Sequence, residues 1–171
     1  MLMFRSTILI QYAVILAISF VSGVVIFQAF ALDKSIQLIE LIDSRVIDPS
    51  NVSFWQSILP LGVSILLVLL FATHPYIPFV AQFVVAIRAT FFGFSSVFLL
   101  TQQESMIVYS LWWFPFQLIY CILLLILCSV YTSKKVGPNR RHFFAQNLFF
   151  ILLAVFAGIC IFEIIVISYI F

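Results

Sequence analysis

Arg88, Gln117 and Glu163 stand inside long apolar runs of this sequence, and theirs is the chemistry that needs explaining. A charged side chain at the centre of a bilayer costs roughly 2.5–3.5 kcal/mol on insertion scales, and more in simulations. Such a group persists where the fold satisfies it, where it meets a partner protein, or where it lines a polar path for a transported substrate. Arg88 opens a close-packing run, Arg88-Ala89-Thr90-Phe91-Phe92-Gly93-Phe94, so charge and helix contact fall together.

Bond-making motifs are missing from the sequence. It has no Gly-x-Ser-x-Gly elbow, no His-Glu-x-x-His, no paired carboxylate and no glycine loop for phosphate. His74 and His142 lie in polar turns, away from any nucleophile. With no second histidine or carboxylate beside it, His74 reads as a solvated turn residue and not as a ligand or proton relay. Cys121, Cys128 and Cys160 sit in apolar runs without CxxC or Cys/His spacing, and read as small hydrophobes. The expectation is a protein that is not an enzyme and that uses neither metal nor cofactor.

The elements that position these residues follow from composition. The chain has 171 residues, 65% hydrophobic and 8% charged, with 21 Phe. A soluble domain carries about 25% charged residues, so this chain is an integral membrane protein. The apolar runs are continuous and do not alternate, which favours helices over a barrel. The fold class is an all-α five-helix transmembrane bundle, a single domain over 1–171. A crossing needs about 20 helical residues. That places spans at about 8–30, 54–72, 79–101, 105–130 and 143–171, the first retained and not a cleaved signal peptide.

Segment 31–53 is the one sizeable polar stretch. Leu32, Ile36, Ile39, Ile42 and Val46 recur at helical steps, with Asp33, Gln37, Glu40, Ser44 and Asp48 opposite. That predicts an amphipathic helix ended by Pro49, lying in the interface plane or packed over the tops of the spans. Asn51-Val52-Ser53 fits a glycosylation sequon, a match frequent by chance. Trp55 is an interfacial anchor. Pro60 and Gly62 predict a kink or a late helix start, and Pro115 a kink in the fourth span. Small residues mark helix contacts at Ser19, Ser22 and Gly23, at Ala89 and Gly93, and at Ala154 and Gly158.

Loop 131–142 carries Lys134, Lys135, Arg140 and Arg141. With Arg5 it goes to the cytoplasm by the positive-inside rule, leaving the amino terminus inside, the acidic 31–53 loop outside and the carboxyl terminus outside. The basic loop is a topology signal or an anionic-lipid contact and gives no support for nucleic-acid binding.

At ~1.5 Å per residue, Arg88 and Gln117 both lie near mid-membrane, and Glu163 lies nearer the outer surface. A direct Arg88–Glu163 pair is disfavoured by roughly two helical turns. The expectation is that Arg88 meets Gln117 or the carbonyls freed by Pro115, with Glu163 at the outer edge facing a partner. The alternative is that Arg88 snorkels into a local water defect.

These features in order resemble the stage II sporulation protein M family of bacterial multi-pass membrane proteins. The residues that carry the likeness are Arg88-Ala89, Gly93-Phe94, the central Pro115, the basic loop and Phe162-Glu163, over roughly residues 54 to 171. The chain departs from the family where many members have Lys-Gly in place of Arg88-Ala89. Many also have a histidine and a glutamate in place of Phe116 and Tyr120, which argues against carrying over a polar site on the fourth helix. The resemblance implies a non-catalytic subunit. In spore formers, members anchor a cell-wall-degrading complex during engulfment. Short relatives accompany ABC transporters for export of, and immunity to, circular bacteriocins. Three readings follow: an accessory subunit of an export and immunity system, a sporulation scaffold recruiting wall hydrolases, or a permease-like subunit with a polar path through Arg88, Gln117 and Glu163. The implied partners are the lipid bilayer, other membrane subunits, an ABC ATPase and further copies of the chain.

Overall fold

The computed structural model describes residues 2–48, 54–73, 78–102, 106–132 and 141–170, and their regular structure is entirely helical. Helix α1 is Leu2–Ala29, and α2 is Leu32–Asp43, which passes into a 3-10 turn at Ser44–Val46. Helices α3 (Phe54–Thr73) and α4 (Pro78–Thr101) follow. A single turn, α5 (Met106–Val108), leads through a π turn at Tyr109–Trp113 into α6, Phe114–Thr132, and α7 is Arg141–Ile170. Four stretches are long and apolar enough to cross a membrane: Ile10–Ala29, Phe79–Thr101, Tyr109–Ser129 and Phe150–Tyr169. Helix α3 has 20 residues, but the apolar stretch found in it, Ile58–Phe71, is shorter. A membrane protein with four candidate spans is therefore what the described residues establish.

Helix α4 is the axis of the bundle, with α1, α3 and α6 packed against it and α7 leaning on α6 and the π turn. Small residues set the closest approach. A methyl group on Gly23 would collide with the Thr90 carbonyl oxygen and lie 2.8 Å from the Phe94 amide nitrogen. A methyl on Gly93 would collide with the Phe20 carbonyl oxygen. The two glycines thus face each other's helices, and α1 rests backbone to backbone on α4. Phe20 and Phe27 then pack edge-on against Phe92 and Phe94, at centroid distances of 4.9 and 5.1 Å. Ser19, one turn before Gly23, is buried, whereas Ser22 is half-buried and its hydroxyl donates back to the Ile18 carbonyl. Ala154 and Gly158 are exposed, and nothing lies within 4 Å of a methyl built on Gly158. Among the described residues, nothing packs against Gly158, and Ala154 is exposed beside it.

Pro115 acts one turn before its own position. Its ring crowds the carbonyl four residues earlier, and an ordinary helical turn cannot hold both. The turn widens, and the Phe114 amide donates to the Tyr109 carbonyl five residues back. This π turn swings Trp112 and Trp113 together into the core, where both are fully buried. Pro60 lies within α3, where Ser64 Oγ donates to its carbonyl at 2.8 Å.

The expected amphipathic pattern of segment 31–53 needs correction. Its buried stripe runs Ser35, Ile39, Asp43 and on to Val46, while Leu32 and Ile42 from the apolar set are exposed. Polar Ser35 and Asp43 help to set the inward face, because the segment docks on polar groups as well as apolar ones.

Candidate functional site

Where that segment docks, the buried polar groups of the bundle meet it. Arg88, on α4, donates from Nη2 to Gln117 Oε1 at 2.9 Å. Of the two partners the sequence suggested, Gln117 is the one the geometry supplies. Arg88 is 5% exposed, and its guanidinium carbon lies 5.9 Å from the centroid of the Phe91 ring, with Nη2 4.0 Å from Asp43 Oδ2.

Asp43 and Arg45 form the tip of the α2 segment. Arg45 Nε donates to Asp43 Oδ1 and Nη2 to Oδ2, both at 2.7 Å, a bidentate pair two residues apart. Asp43 sits at extended backbone angles, φ −154° and ψ 90°, which breaks the helix there. That break, followed by the 3-10 turn, lets side chains at i and i+2 meet, which a continuous helix forbids. Arg45 then reaches across with Nη1 to Glu163 Oε1 on α7, at 3.1 Å.

Glu163 is held on both oxygens. Trp112 Nε1 donates to Oε1 at 3.0 Å, and the Tyr120 hydroxyl donates to Oε2 at 2.6 Å. The expectation that Glu163 faces a partner is overturned: it is 2% exposed and coordinated from inside its own chain. Among the described residues no Arg88–Glu163 ion pair forms; the Asp43–Arg45 tip fills the distance between them.

The result is an alternating row: Arg88, Asp43, Arg45, Glu163. Burial acts against the Arg45 charge, but the Asp43 hydrogen bonds and the charges of Asp43 and Glu163 outweigh it, holding the guanidinium above its ordinary pKa. Charge-assisted hydrogen bonds of this length are the strong ones. Arg88 Nε, Gln117 Nε2 and Trp113 Nε1 are buried with no acceptor among the described residues.

The sequence reading named three of these residues and missed Asp43, Arg45, Trp112 and Tyr120. Two opposite charges stranded in different spans, beside a loop with an acid and a base two apart, was the available signal. The departure from the family pattern argued against a polar site on the fourth helix. Tyr120 supplies one there, with Gln117 one turn away.

The arrangement holds charge and positions helices. Both carboxylates are covered by N–H and O–H donors. No cluster of three metal-binding side chains occurs among the described residues. Cys121 and Cys128 are buried and in no disulfide, and Cys160 Sγ lies 3.6 Å from the Tyr120 hydroxyl. Trp55, near the start of α3, is 74% exposed. His74, the sequon at 51–53, Lys134, Lys135 and Arg140 lie outside the described residues; Arg141 opens α7. No protein-family model matches this chain, and none of the curated proteins or solved structures compared with it matches either.

Proposed function

We propose that this chain is a non-catalytic membrane scaffold, an accessory subunit of an ABC-transporter-linked system for export of, and self-immunity to, a peptide such as a circular bacteriocin. One observation carries the non-catalytic part: the buried charges are spent on one another. Arg45 is bonded to Asp43 and Glu163, Glu163 also to Trp112 and Tyr120, and Arg88 to Gln117. Such a row ties α4, α6, α7 and the α2 tip into one body and leaves little to act on a substrate. The resemblance to stage II sporulation protein M supplies the transporter context. In this reading α3 is a fifth span, the amino terminus is cytoplasmic, and the carboxyl terminus and α2 face outward. The 131–142 loop then contacts an ATPase from inside.

A permease-like subunit is the second reading, favoured by the continuity of polar groups from Gln117 through Arg88, Asp43 and Arg45 to Glu163. The sporulation scaffold, which recruits wall hydrolases from outside, is the third. Purification of the tagged chain from native membranes separates them. A co-purifying ABC ATPase supports the first two, and wall hydrolases support the third. Recovery of the chain with neither overturns the scaffold reading. The first two part on whether substrate export stops when Arg88 or Glu163 is neutralised in a complex that still assembles.

A further inference from the structure

Ring contacts give the directions of the helices around α2. Phe20 packs on Phe92, and Phe27 on Phe94 and Phe98, so residue numbers rise together along α1 and α4 and the two run parallel. Ala29 and Thr101 therefore mark the same end of the bundle. Helix α3 packs along α4 and is joined to it by four residues, 74–77, which sets that pair antiparallel. Phe54, the start of α3, is then at that end too. The segment between α1 and α3 thus begins and finishes at one end of the bundle.

Its turn lies deeper. Asp43 approaches Arg88, the tenth of 23 residues in Phe79–Thr101, and Arg88 bonds Gln117, the ninth of 21 in Tyr109–Ser129. Arg45 reaches Glu163, whose carboxylate is held by Trp112 and Tyr120, the fourth and twelfth residues of that second span. Both charges of the turn meet the bundle near half height. The reach fits, since the 12 residues of α2 cover about 18 Å, more than half of a hydrocarbon core of ~30 Å. Backbone that leaves a helix at membrane depth is tolerated where protein encloses it, and Asp43, Arg45 and Val46 are all buried.

The outer side of α2 divides into two lines. Asp33, Gln37 and Glu40 are exposed along one, with Glu40 one turn from Asp43. Leu41 and Ile42 are exposed on the neighbouring flank, Leu41 to 87%. Near half depth an exposed leucine is stable against acyl tails, whereas an exposed carboxylate needs water.

We infer that α2 is a re-entrant helix and not a surface one. It enters at the end of the bundle where α1 stops, turns at half depth through Asp43–Val46 and returns to the same end for α3. Leu41 and Ile42 face lipid, and Asp33, Gln37 and Glu40 line a water-filled recess that admits small polar solutes to within one turn of the buried charges. The placement is independent of the transporter reading, so the two fail separately.

Single nitroxide labels in liposomes test it, on a Cys160→Ala chain whose remaining thiols, Cys121 and Cys128, are buried. Collisions with oxygen report hydrocarbon, and collisions with a neutral nickel chelate report water. The oxygen-to-nickel ratio at Leu41→Cys is expected to be several-fold higher than at Asp33→Cys and to match Ile87→Cys, an exposed position midway along α4. Glu40→Cys is expected to keep a low ratio, like Asp33→Cys. Equal ratios at Leu41→Cys and Asp33→Cys put α2 flat on the surface and overturn the inference. Exclusion of the nickel chelate from Glu40→Cys overturns the recess, because a second copy or another protein then covers that line. An impermeant maleimide added to one side of sealed vesicles is expected to reach Asp33→Cys and Trp55→Cys together; labelling from opposite sides makes the segment a crossing and refutes re-entry.

Discussion

Replacing Arg45 with methionine tests the structural account of the cluster most directly. Methionine keeps a long, flexible stem and removes the fork. Three hydrogen bonds are lost, two to Asp43 and one to Glu163. At the bilayer average of about 0.6 kcal/mol per polar contact, three such bonds amount to about 2 kcal/mol. A second effect is larger. The Asp43 side chain is 0% exposed, and its nearest remaining cation is Arg88 at 4.0 Å. Breaking a buried pair and stranding one partner costs about 3–5 kcal/mol. Glu163 keeps Trp112 and Tyr120, so Asp43 is the stranded group and sets the cost. The expected loss for Arg45→Met is therefore in the upper range, about 3–5 kcal/mol.

The companion variant removes the stranded charge. Asp43→Asn combined with Arg45→Met takes out both members of the self-paired tip, so the double variant is expected to be more stable than Arg45→Met alone. The coupling between the two sites is expected at about 1–3 kcal/mol. Equilibrium unfolding in mixed micelles, followed by tryptophan fluorescence, measures both. A cost below ~1 kcal/mol for Arg45→Met, or simple additivity in the double variant, refutes the account.

The remaining predictions concern the neighbours of the cluster and the α1–α4 contact. Tyr120→Phe removes the donor to Glu163 Oε2 and is expected to cost about 1–3 kcal/mol in the same unfolding assay, since a buried carboxylate oxygen loses its partner. Gln117→Leu leaves Arg88 without its bonded acceptor and is expected to cost a similar amount, about 1–3 kcal/mol, unless a second substitution, Arg88→Leu, removes the orphan and recovers part of the loss. Gly93→Ala is expected to destabilise by about 1–3 kcal/mol, because the colliding atom is Phe20 backbone and cannot rotate away. Gly158→Ala, in open space, is expected within about 0.5 kcal/mol of wild type, and this contrast checks that the effect is packing and not glycine removal. Across pH 5 to 9 Arg45 is expected to contribute no slope to stability. Its folded pKa lies above the ordinary arginine value, so its contribution is complete below that value and lost only at still higher pH. Melting curves across that range, wild type against Asp43→Asn/Arg45→Met, which leaves no stranded Asp43 carboxylate to titrate, should differ by a constant.

How much of this was legible depends on the range of the interaction. Helices were legible because apolar runs must satisfy their backbone locally. Gly93 was legible because close approach needs a small residue, though its partner, Gly23, had to be found in space. The Arg88–Gln117 bond could be reached by depth, since residues on packed spans at equal depth can touch. The tip of α2 could not be reached that way. Periodicity scored on apolar residues put Ile42 inward, whereas the buried stripe of Ser35, Ile39 and Asp43 has the same helical spacing and runs through polar residues. The break at Asp43 changes which residues share a face, and a period of 3.6 carries no information beyond it. The π turn has the same logic: Pro115 announces an irregularity, but the sequence does not say which side absorbs it.

A charge in a span is usually paired with charges in other spans, and that habit hid the answer here. Arg88 and Glu163 stand on different helices with no direct ion pair between them among the described residues, so a rigid pairing of spans leaves both charges unmatched. A connecting segment is free of the span register and can supply charges at intermediate depth. For that it must bring both signs, or it exchanges one stranded charge for another. Asp43 and Arg45 meet that condition two residues apart, within a chain that is only 8% charged.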